Sequence, residues 1–115
     1  MRYLLMIGAD EAAMMAASPA EAQAMTEEYD VFAQDMATRG VLQGGERLRP
    51  TTDATTVQVR DGAVLSADGP FAETKEQIAG YFLVDCTDID EAIEVAAKIP
   101  AARFGSIEVR PIWER

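Results

Sequence analysis

Residues 79–91, Ala-Gly-Tyr-Phe-Leu-Val-Asp-Cys-Thr-Asp-Ile-Asp-Glu, join an apolar run directly to a helix start. The apolar positions from Tyr81 to Val84 are consecutive, which is typical of a central strand with both faces covered. The segment from Thr87 to Glu91 then offers a capping side chain followed by an acid three residues later. The pattern predicts a strand over 79–86 and a helix immediately after it.

The helix is expected to carry one apolar stripe and to end at Pro100, which cannot continue it. A last strand follows over 106–113, with Ile107 and Val109 on one face and Glu108 and Arg110 on the other. The second half of the chain therefore predicts strand, helix, strand. The positions of the helical stripe are Ile89, Ala92, Ile93, Ala96 and Ile99.

The first half of the chain repeats this order. Residues 2–7 predict a central strand that Gly8 ends, and residues 8–17, which lack a clear helix start, predict a loop or a short helical turn that could act as a mobile flap. Ser18-Pro19-Ala20-Glu21 is a strong helix start, and Gly40 suits the position after a helix end, so a helix is predicted over 19–38. Its apolar stripe consists of Met25, Tyr29, Phe32 and Met36.

Residues 41–66 predict three further strands. Val41 to Arg49 is one, closed by Pro50, and its Gly44-Gly45 pair indicates a bulge or a close approach to the backbone. Residues 55–60 and 63–66 flank Asp61-Gly62, a strong hairpin signal. With the hairpin set aside, the order β-α-β-β-α-β predicts one ferredoxin-like α+β domain over residues 1–115, with an antiparallel sheet and both helices on one face.

Such a sheet has one face without helices, and the sequence predicts that something covers it. Apolar side chains occupy both faces of the first strand, with Leu4 and Met6 opposed to Leu5 and Ile7. Large exposed apolar faces are rare on soluble monomers, and a symmetric copy is the simplest cover. We therefore predict a homodimer that forms through the sheet face.

Composition argues against several classes of partner. The chain has 20 acidic and 10 basic residues, no histidine and a formal net charge of -10. This charge makes nucleic acid and anionic membrane surfaces unfavourable partners. The apolar N-terminal run is too short for a signal peptide, no stretch is long enough to cross a bilayer, and one cysteine cannot form an internal disulfide, so a cytoplasmic protein is predicted.

The most distinctive segment is Asp68-Gly-Pro-Phe-Ala-Glu-Thr-Lys-Glu76. Asp-Gly-Pro favours a turn, and Phe71 is expected to pack into the core. Glu73, Lys75 and Glu76 are expected at the rim of a cleft, with a solvated turn or first-turn pairing as the plainer interpretation. Beside Pro70 and Phe71, Asp68 could be desolvated and act as a general acid or base. The alternative is that Asp68 only organises the turn.

Four other side chains are candidates for the cleft. Glu46 follows the glycine pair and could reach a ligand or lie in solvent, and Arg110 could pair with a carboxylate there. Tyr3 and Tyr81 are expected either as core residues with polar tips or as ligand contacts. No cofactor or metal is predicted, because Gly44-Gly45 lacks a phosphate-loop pattern and the acids over 85–94 lack calcium-loop spacing.

The sequence resembles the YCII-related family, in its branch named for the Asp-Gly-Pro-Phe motif, within the dimeric α+β barrel superfamily. The resemblance implies a ferredoxin-like fold that dimerises through its sheet around a cleft, and some members are associated with extracytoplasmic-function sigma factors. A histidine–aspartate acid/base pair proposed for some relatives cannot be carried over, since only its aspartate has a counterpart, at Asp68. The matching segments are 2–6, 44–48, 68–76, 80–85 and 108–112.

Two main hypotheses of function follow. The first is a dimer that binds a small molecule, and that could be a cofactor-free lyase or isomerase, with Asp68 and Glu46 lining the cleft. The alternative is a non-catalytic accessory protein linked to an extracytoplasmic-function sigma factor, which would use the acidic surface. A purely structural subunit is a weaker third interpretation.

Overall fold

Strand β1, Arg2–Ala9, alternates between two environments. Tyr3, Leu5 and Ile7 are buried, whereas Leu4 and Met6 on the opposite face are half-buried. Because successive side chains of a strand point to opposite faces, this alternation gives the sheet one fully covered side. The structure is a computed structural model and describes residues 1–114.

The elements form two separate antiparallel sheets. The larger has the order β2-β5-β1-β6, which is the ferredoxin-like order once the hairpin β3-β4 is set aside, so the predicted fold is confirmed. Short 3₁₀ turns lie at Thr51–Asp53 and Pro100–Arg103. The remaining elements are α1 Glu11–Met15, α2 Pro19–Thr38, β2 Leu42–Arg47, β3 Thr55–Arg60, β4 Ala63–Asp68, β5 Gln77–Asp85, α3 Ile89–Ala97 and β6 Ser106–Pro111.

The core lies between one face of the large sheet and the helices. Leu5 and Val84 from the sheet and Val95 and Ile99 from the α3 segment are fully buried. The Phe32 ring of α2 packs on Phe82 of β5 with ring centroids 4.9 Å apart. Burial of each such Val, Leu, Ile or Phe side chain stabilises the folded state by about 1.5–3 kcal/mol, so these contacts hold the helices to the sheet.

The capping residues in the sequence correctly predict where α2 begins and ends. Ser18 and Glu21 form the predicted reciprocal cap of α2, and Gly40 takes a positive φ of 77° after its end. In α3 two predicted core positions are wrong, because Ile89 is 43% and Ile93 is 53% exposed, whereas Val95 is buried instead. Residues 8–17 begin as strand, and α1 is capped by Asp10, whose Oδ1 accepts hydrogen bonds from the Ala12 and Ala13 amides.

The hairpin formed by β3 and β4 stands apart from the core. Asp61 and Gly62 have φ values of 51° and 77°, as the predicted two-residue turn requires. The radius of gyration is 16.0 Å, compared with about 13 Å expected for a compact chain of this length. The hairpin therefore projects as an arm, and Thr55–Asp68 is called the hairpin arm below.

The prediction that Phe71 packs into the core is wrong. Its side chain is 88% exposed. The turn before it is fixed to the hairpin arm, because the Gly69 amide donates to the Ala54 carbonyl at 2.7 Å and Thr56 Oγ1 donates to the Gly69 carbonyl at 2.8 Å. Since the arm itself lies away from the core, the aromatic residue that follows the turn does too.

The Gly44-Gly45 pair forms both features that the sequence indicates, a bulge and a close approach to the backbone. The register of β2 against β5 shifts between Leu42 and Gly44, which is a bulge. A Cβ atom on Gly45 would lie 2.6 Å from the Phe82 ring and 2.7 Å from the Tyr81 carbonyl oxygen, whereas one on Gly44 would meet nothing within 4 Å. The close approach of β5 therefore requires a glycine at position 45 but not at position 44.

The two glycines provide a matched test of this packing. Gly45→Ala should lower the free energy of unfolding by about 1–3 kcal/mol, because the added methyl must displace a ring and a neighbouring strand. Gly44→Ala should change it by less than about 0.5 kcal/mol. Urea unfolding followed by circular dichroism measures both, and equal effects would contradict the close approach at Gly45.

Candidate functional site

The side of the large sheet opposite the helices carries the main candidate site. We call this side the open face. The strand register aligns Glu46, Tyr81, Met6 and Glu108 in one row across it, and Gly44, Leu83, Leu4 and Arg110 in the next row. The centre of the open face is therefore apolar and its two edges are charged.

The charged edges lie on different strands. Glu46 is exposed on β2, and Glu108 and Arg110 form an ion pair on β6 at the opposite edge. Three strand spacings separate Glu46 from Glu108, or about 14 Å. The two edges frame the apolar centre but do not touch each other, so a ligand on this face would lie over the apolar centre between two polar borders.

Tyr81 and Tyr3 occupy opposite sides of the sheet. Tyr81 is half-buried at the centre of the open face, between Glu46 and Met6 in the register. Tyr3 pairs with Val84 in the covered layer and is only 3% exposed, so it is a core residue in this structure. The two tyrosine candidates are therefore not brought together.

Asp68 lies on the other sheet. It is the last residue of β4, it is exposed, and it is paired with Thr55 across the hairpin arm. On the sequence alone, Phe71 could shield Asp68 from water, but in the single chain both side chains are exposed. The structure thus brings Glu46, Tyr81 and Arg110 to one face of the large sheet and leaves Asp68 on a separate unit.

The loop over 69–76 carries the remaining candidates. Phe71, Glu73 and Lys75 are all exposed there. The loop is held at its far end by Gln77, whose Nε2 donates to the Thr74 carbonyl at 2.5 Å. In the single chain these side chains present aromatic surface and both charges to solvent, beside the start of β5.

Glu76, which the sequence predicts at the rim of a cleft, lies at one end of the open face, and its partner there was missed. Its Oε1 accepts a hydrogen bond from Ser106 Oγ at 2.8 Å and would lie 3.6 Å from a Cβ atom on Gly8. Gly8 and Ser106 are paired on the same side of the sheet as Met6 and Glu108. The carboxylate of Glu76 therefore closes one end of the open face, through a hydrogen bond with Ser106 that no local motif signals.

A second polar cluster was also missed, and it fixes the loops at the same end of the sheet. The Glu11 carboxylate accepts hydrogen bonds from the Thr51 amide and hydroxyl, both at 2.7 Å. The Glu11 amide donates to Gln77 Oε1 at 2.9 Å. These bonds tie α1 to the segments before and after the hairpin arm, which makes residues 8–17 an anchored element in this structure.

Other chemistry-bearing groups offer no clear site. Cys86 is buried, and its pKa is raised by burial first and by the charge of Glu91 second, so the reactive thiolate is disfavoured. Within residues 1–114, no cluster of three potential metal ligands is present. In that same part of the chain, none of the helices has the length and apolar character needed to span a bilayer.

A shallow groove of about 570 Å³ lies on the opposite side of the molecule, between α2 and the 3₁₀ turn that follows α3. Phe32, Met36 and Pro100 form its floor. Its rim is charged, with the acids Glu27, Glu28 and Asp35 and the basic residues Lys98 and Arg103. Glu28 and Arg103 form an ion pair at 2.9 Å. The groove is thus a second concave surface, separate from the open face.

Comparison with known proteins supports the resemblance seen in the sequence. The family model described as the YCII-related domain matches residues 1–115. An uncharacterized protein of Rhizobium meliloti (strain 1021) is 37% identical over 114 residues, which span 97% of this chain and 92% of that protein. The ferredoxin-like strand order agrees with the fold that the resemblance implied. The chain belongs to the YCII-related domain family.

Proposed function

We propose that the protein works as a homodimer whose two open faces pack together around a cleft that binds a small molecule. We assign it to the branch of the family named for the Asp-Gly-Pro-Phe motif, which residues 68–71 carry in full. The observation that supports this function best is the composition of the open face. It places Leu4, Met6, Tyr81 and Leu83 at the centre of a sheet that none of the helices within residues 1–114 covers on that side.

The burial pattern supports this assembly. The helices and the 3₁₀ turn after α3 contact the covered side of the sheet, and burial alternates along β1 accordingly. A two-fold copy would remove the half-buried apolar side chains from water, at roughly 25 cal/mol for each Å² of apolar area. Charged borders on both edges of the face would leave polar groups around the apolar contact.

The polar groups of the proposed cleft suit proton transfer without a cofactor. Glu46 and Glu76 are carboxylates at two borders of the face, and Tyr81 supplies a hydroxyl between them. A carboxylate enclosed between two subunits would be desolvated, and desolvation favours its role as a general acid or base. A lyase or isomerase that moves a proton beside a carbonyl needs groups of this kind.

The sheet dimer predicts a specific effect of charge on the open face. Leu83→Glu should convert the dimer to a folded monomer at micromolar concentration, because an unpaired carboxylate would be buried in an apolar contact. Sedimentation equilibrium measures the change, and circular dichroism checks the fold. Ile93→Glu adds the same charge at an exposed position of α3 and should leave the dimer intact. A wild-type protein that sediments as a monomer at micromolar concentration contradicts the proposal.

Ligand binding predicts a saturable rise in melting temperature. Small acids, lactones and phenols are the first compounds to screen, and a ligand at ten times its dissociation constant should stabilise the protein by about 1.4 kcal/mol. Glu46→Gln, Tyr81→Phe or Asp68→Ala should reduce this shift if the residue lines the cleft, whereas Glu27→Gln on α2 should keep it. Absence of any shift at millimolar concentration would count against a small-molecule site.

The groove beside α2 favours a second candidate function, that of an accessory protein for an extracytoplasmic-function sigma factor. Its apolar floor, with Glu27 and Asp35 on the rim beside it, would suit a basic amphipathic segment of such a partner. Charge complementarity mainly accelerates association and makes it sensitive to salt. The groove and the open face lie on opposite sides, so a dimer could use both.

A titration with a purified sigma factor of this class tests the second function. Binding measured by isothermal calorimetry should weaken about tenfold in the Glu27→Lys/Asp35→Lys double variant, because two attractive contacts become repulsive. Glu73→Lys/Asp53→Lys makes the same charge change away from the groove and should have a smaller effect. Equal weakening in both variants would show that net charge, and not the groove, determines binding.

A further inference from the structure

One carboxylate of the open face lies in a seat that several parts of the chain build. Glu76 Oε1 accepts a hydrogen bond from Ser106 Oγ at 2.8 Å, and the Glu76 side chain fills the space above Gly8, where an added Cβ atom would lie 3.6 Å from Oε1. Thr74 Oγ1 donates to the Glu76 carbonyl and fixes the backbone beside it. Glu76 is half-buried, whereas residues 71–75 before it are exposed. The chain itself therefore holds this carboxylate in place without a ligand.

The seated carboxylate has no basic partner within residues 1–114. Both arginines on the open face of β1 and β6 are already engaged, because Arg110 pairs with Glu108 and Arg2 Nε lies 3.1 Å from Glu114 Oε1. An anionic ligand would be repelled by Glu76 unless it broke one of these ion pairs. A cationic ligand would supply the partner that the carboxylate lacks.

Enclosure between two copies makes this missing partner more important. The proposed dimer would partly enclose Glu76, because this side chain closes one end of the face that the two copies share. Removing an ionised carboxylate from water is unfavourable unless a cation pairs with it in good geometry. An ammonium group of a ligand provides that pairing through a charge-assisted hydrogen bond, and the net charge of -10 draws cations towards the protein.

The surface beside the seat suits the apolar part of such a ligand. Met6 lies two residues before Gly8 on the same face of β1, and the register pairs it with Tyr81. Both side chains are half-buried and lie on the open face. Two residues of a strand span about 7 Å, so a ligand that contacts both the carboxylate and the apolar pair needs its charge roughly this far from the middle of its apolar part. An amine on a short chain that ends in a ring has this shape.

We infer that the ligand of the proposed cleft is a primary amine with an apolar body, whose ammonium group binds Glu76 and whose body lies over Met6 and Tyr81. Ser106 is the positioning residue, since it holds the carboxylate that binds the ammonium group. The inference rests on the proposed function, because it names the class of ligand for the same cleft.

Three compounds that share a phenyl ring and differ in charge test the class of ligand. Phenethylamine is a cation at about pH 7, phenethyl alcohol is its neutral analogue, and hydrocinnamate is the matched anion. Isothermal calorimetry with the wild-type protein should give the amine a dissociation constant at least about tenfold lower than that of either analogue. If an analogue binds as tightly as the amine or more tightly, the class of ligand is wrong and the cleft stands. Absence of binding by all three at millimolar concentration overturns the inference and counts against the small-molecule cleft itself.

Glu76→Gln separates recognition of charge from a structural role. The amide can still accept the Ser106 hydrogen bond, so amine binding should weaken at least about tenfold, whereas alcohol binding should change by less than about threefold. Ser106→Ala should weaken amine binding by a smaller factor, and Ser106→Thr, which keeps the hydroxyl group, should restore it. Circular dichroism checks that each variant is folded.

Asp30→Asn is the matched control, because it removes one negative charge at an exposed position of α2. It should change the dissociation constant of the amine by less than about threefold. Equal weakening of amine binding in Asp30→Asn and Glu76→Gln would mean that net charge attracts the amine, and this result overturns the inference. Equal weakening of amine and alcohol binding in Glu76→Gln also overturns it, since the carboxylate would then support the cleft without binding the ammonium group.

Discussion

Strand β1 lies between β5 and β6, and this pairing is the constraint on which the rest of the structure depends. Leu5 is paired with Phe82 on one side and with Val109 on the other, so these three apolar side chains lie together beneath the helices. The same registers place Met6 with Tyr81 and Glu108 on the open face. Because strand side chains alternate strictly, a slip of one residue would move the core to the solvent side, so the burial of Leu5 also fixes which residues the open face presents.

The chain combines two units that depend differently on their surroundings. The large sheet with its helices has a buried core that is complete on one side, and its helix ends are capped within the chain. The hairpin arm has a well-formed turn but no core of its own. Its base is linked to the large sheet by the hydrogen bonds of Glu11 with Thr51 and with Gln77, which position the arm without burying it.

The sequence predicts those parts of the fold that local chemistry determines. The bounds of α2 follow from Ser18, Glu21 and Gly40, and the hairpin turn follows from Asp61 and Gly62, because each signal acts within a few residues. The core of α3 was less predictable, since Ile93 and Val95 both fit a helical stripe and only the direction of packing decides between them. The open-face position of Glu76 depends on Ser106, which lies 30 residues away, and no local pattern carries that information.

The placement of Phe71 and Asp68 shows why the motif segment was the hardest to interpret. The ring that follows the Asp-Gly-Pro turn was expected to be buried, yet Phe71 and Trp113 are among the most exposed large side chains of the single chain. Large apolar side chains left in water are costly. The hydrogen bonds of the motif's turn form within one chain, whereas the apolar side chain of Phe71 beside it stays exposed. The motif therefore lies on the exposed surface of the chain and not in its core.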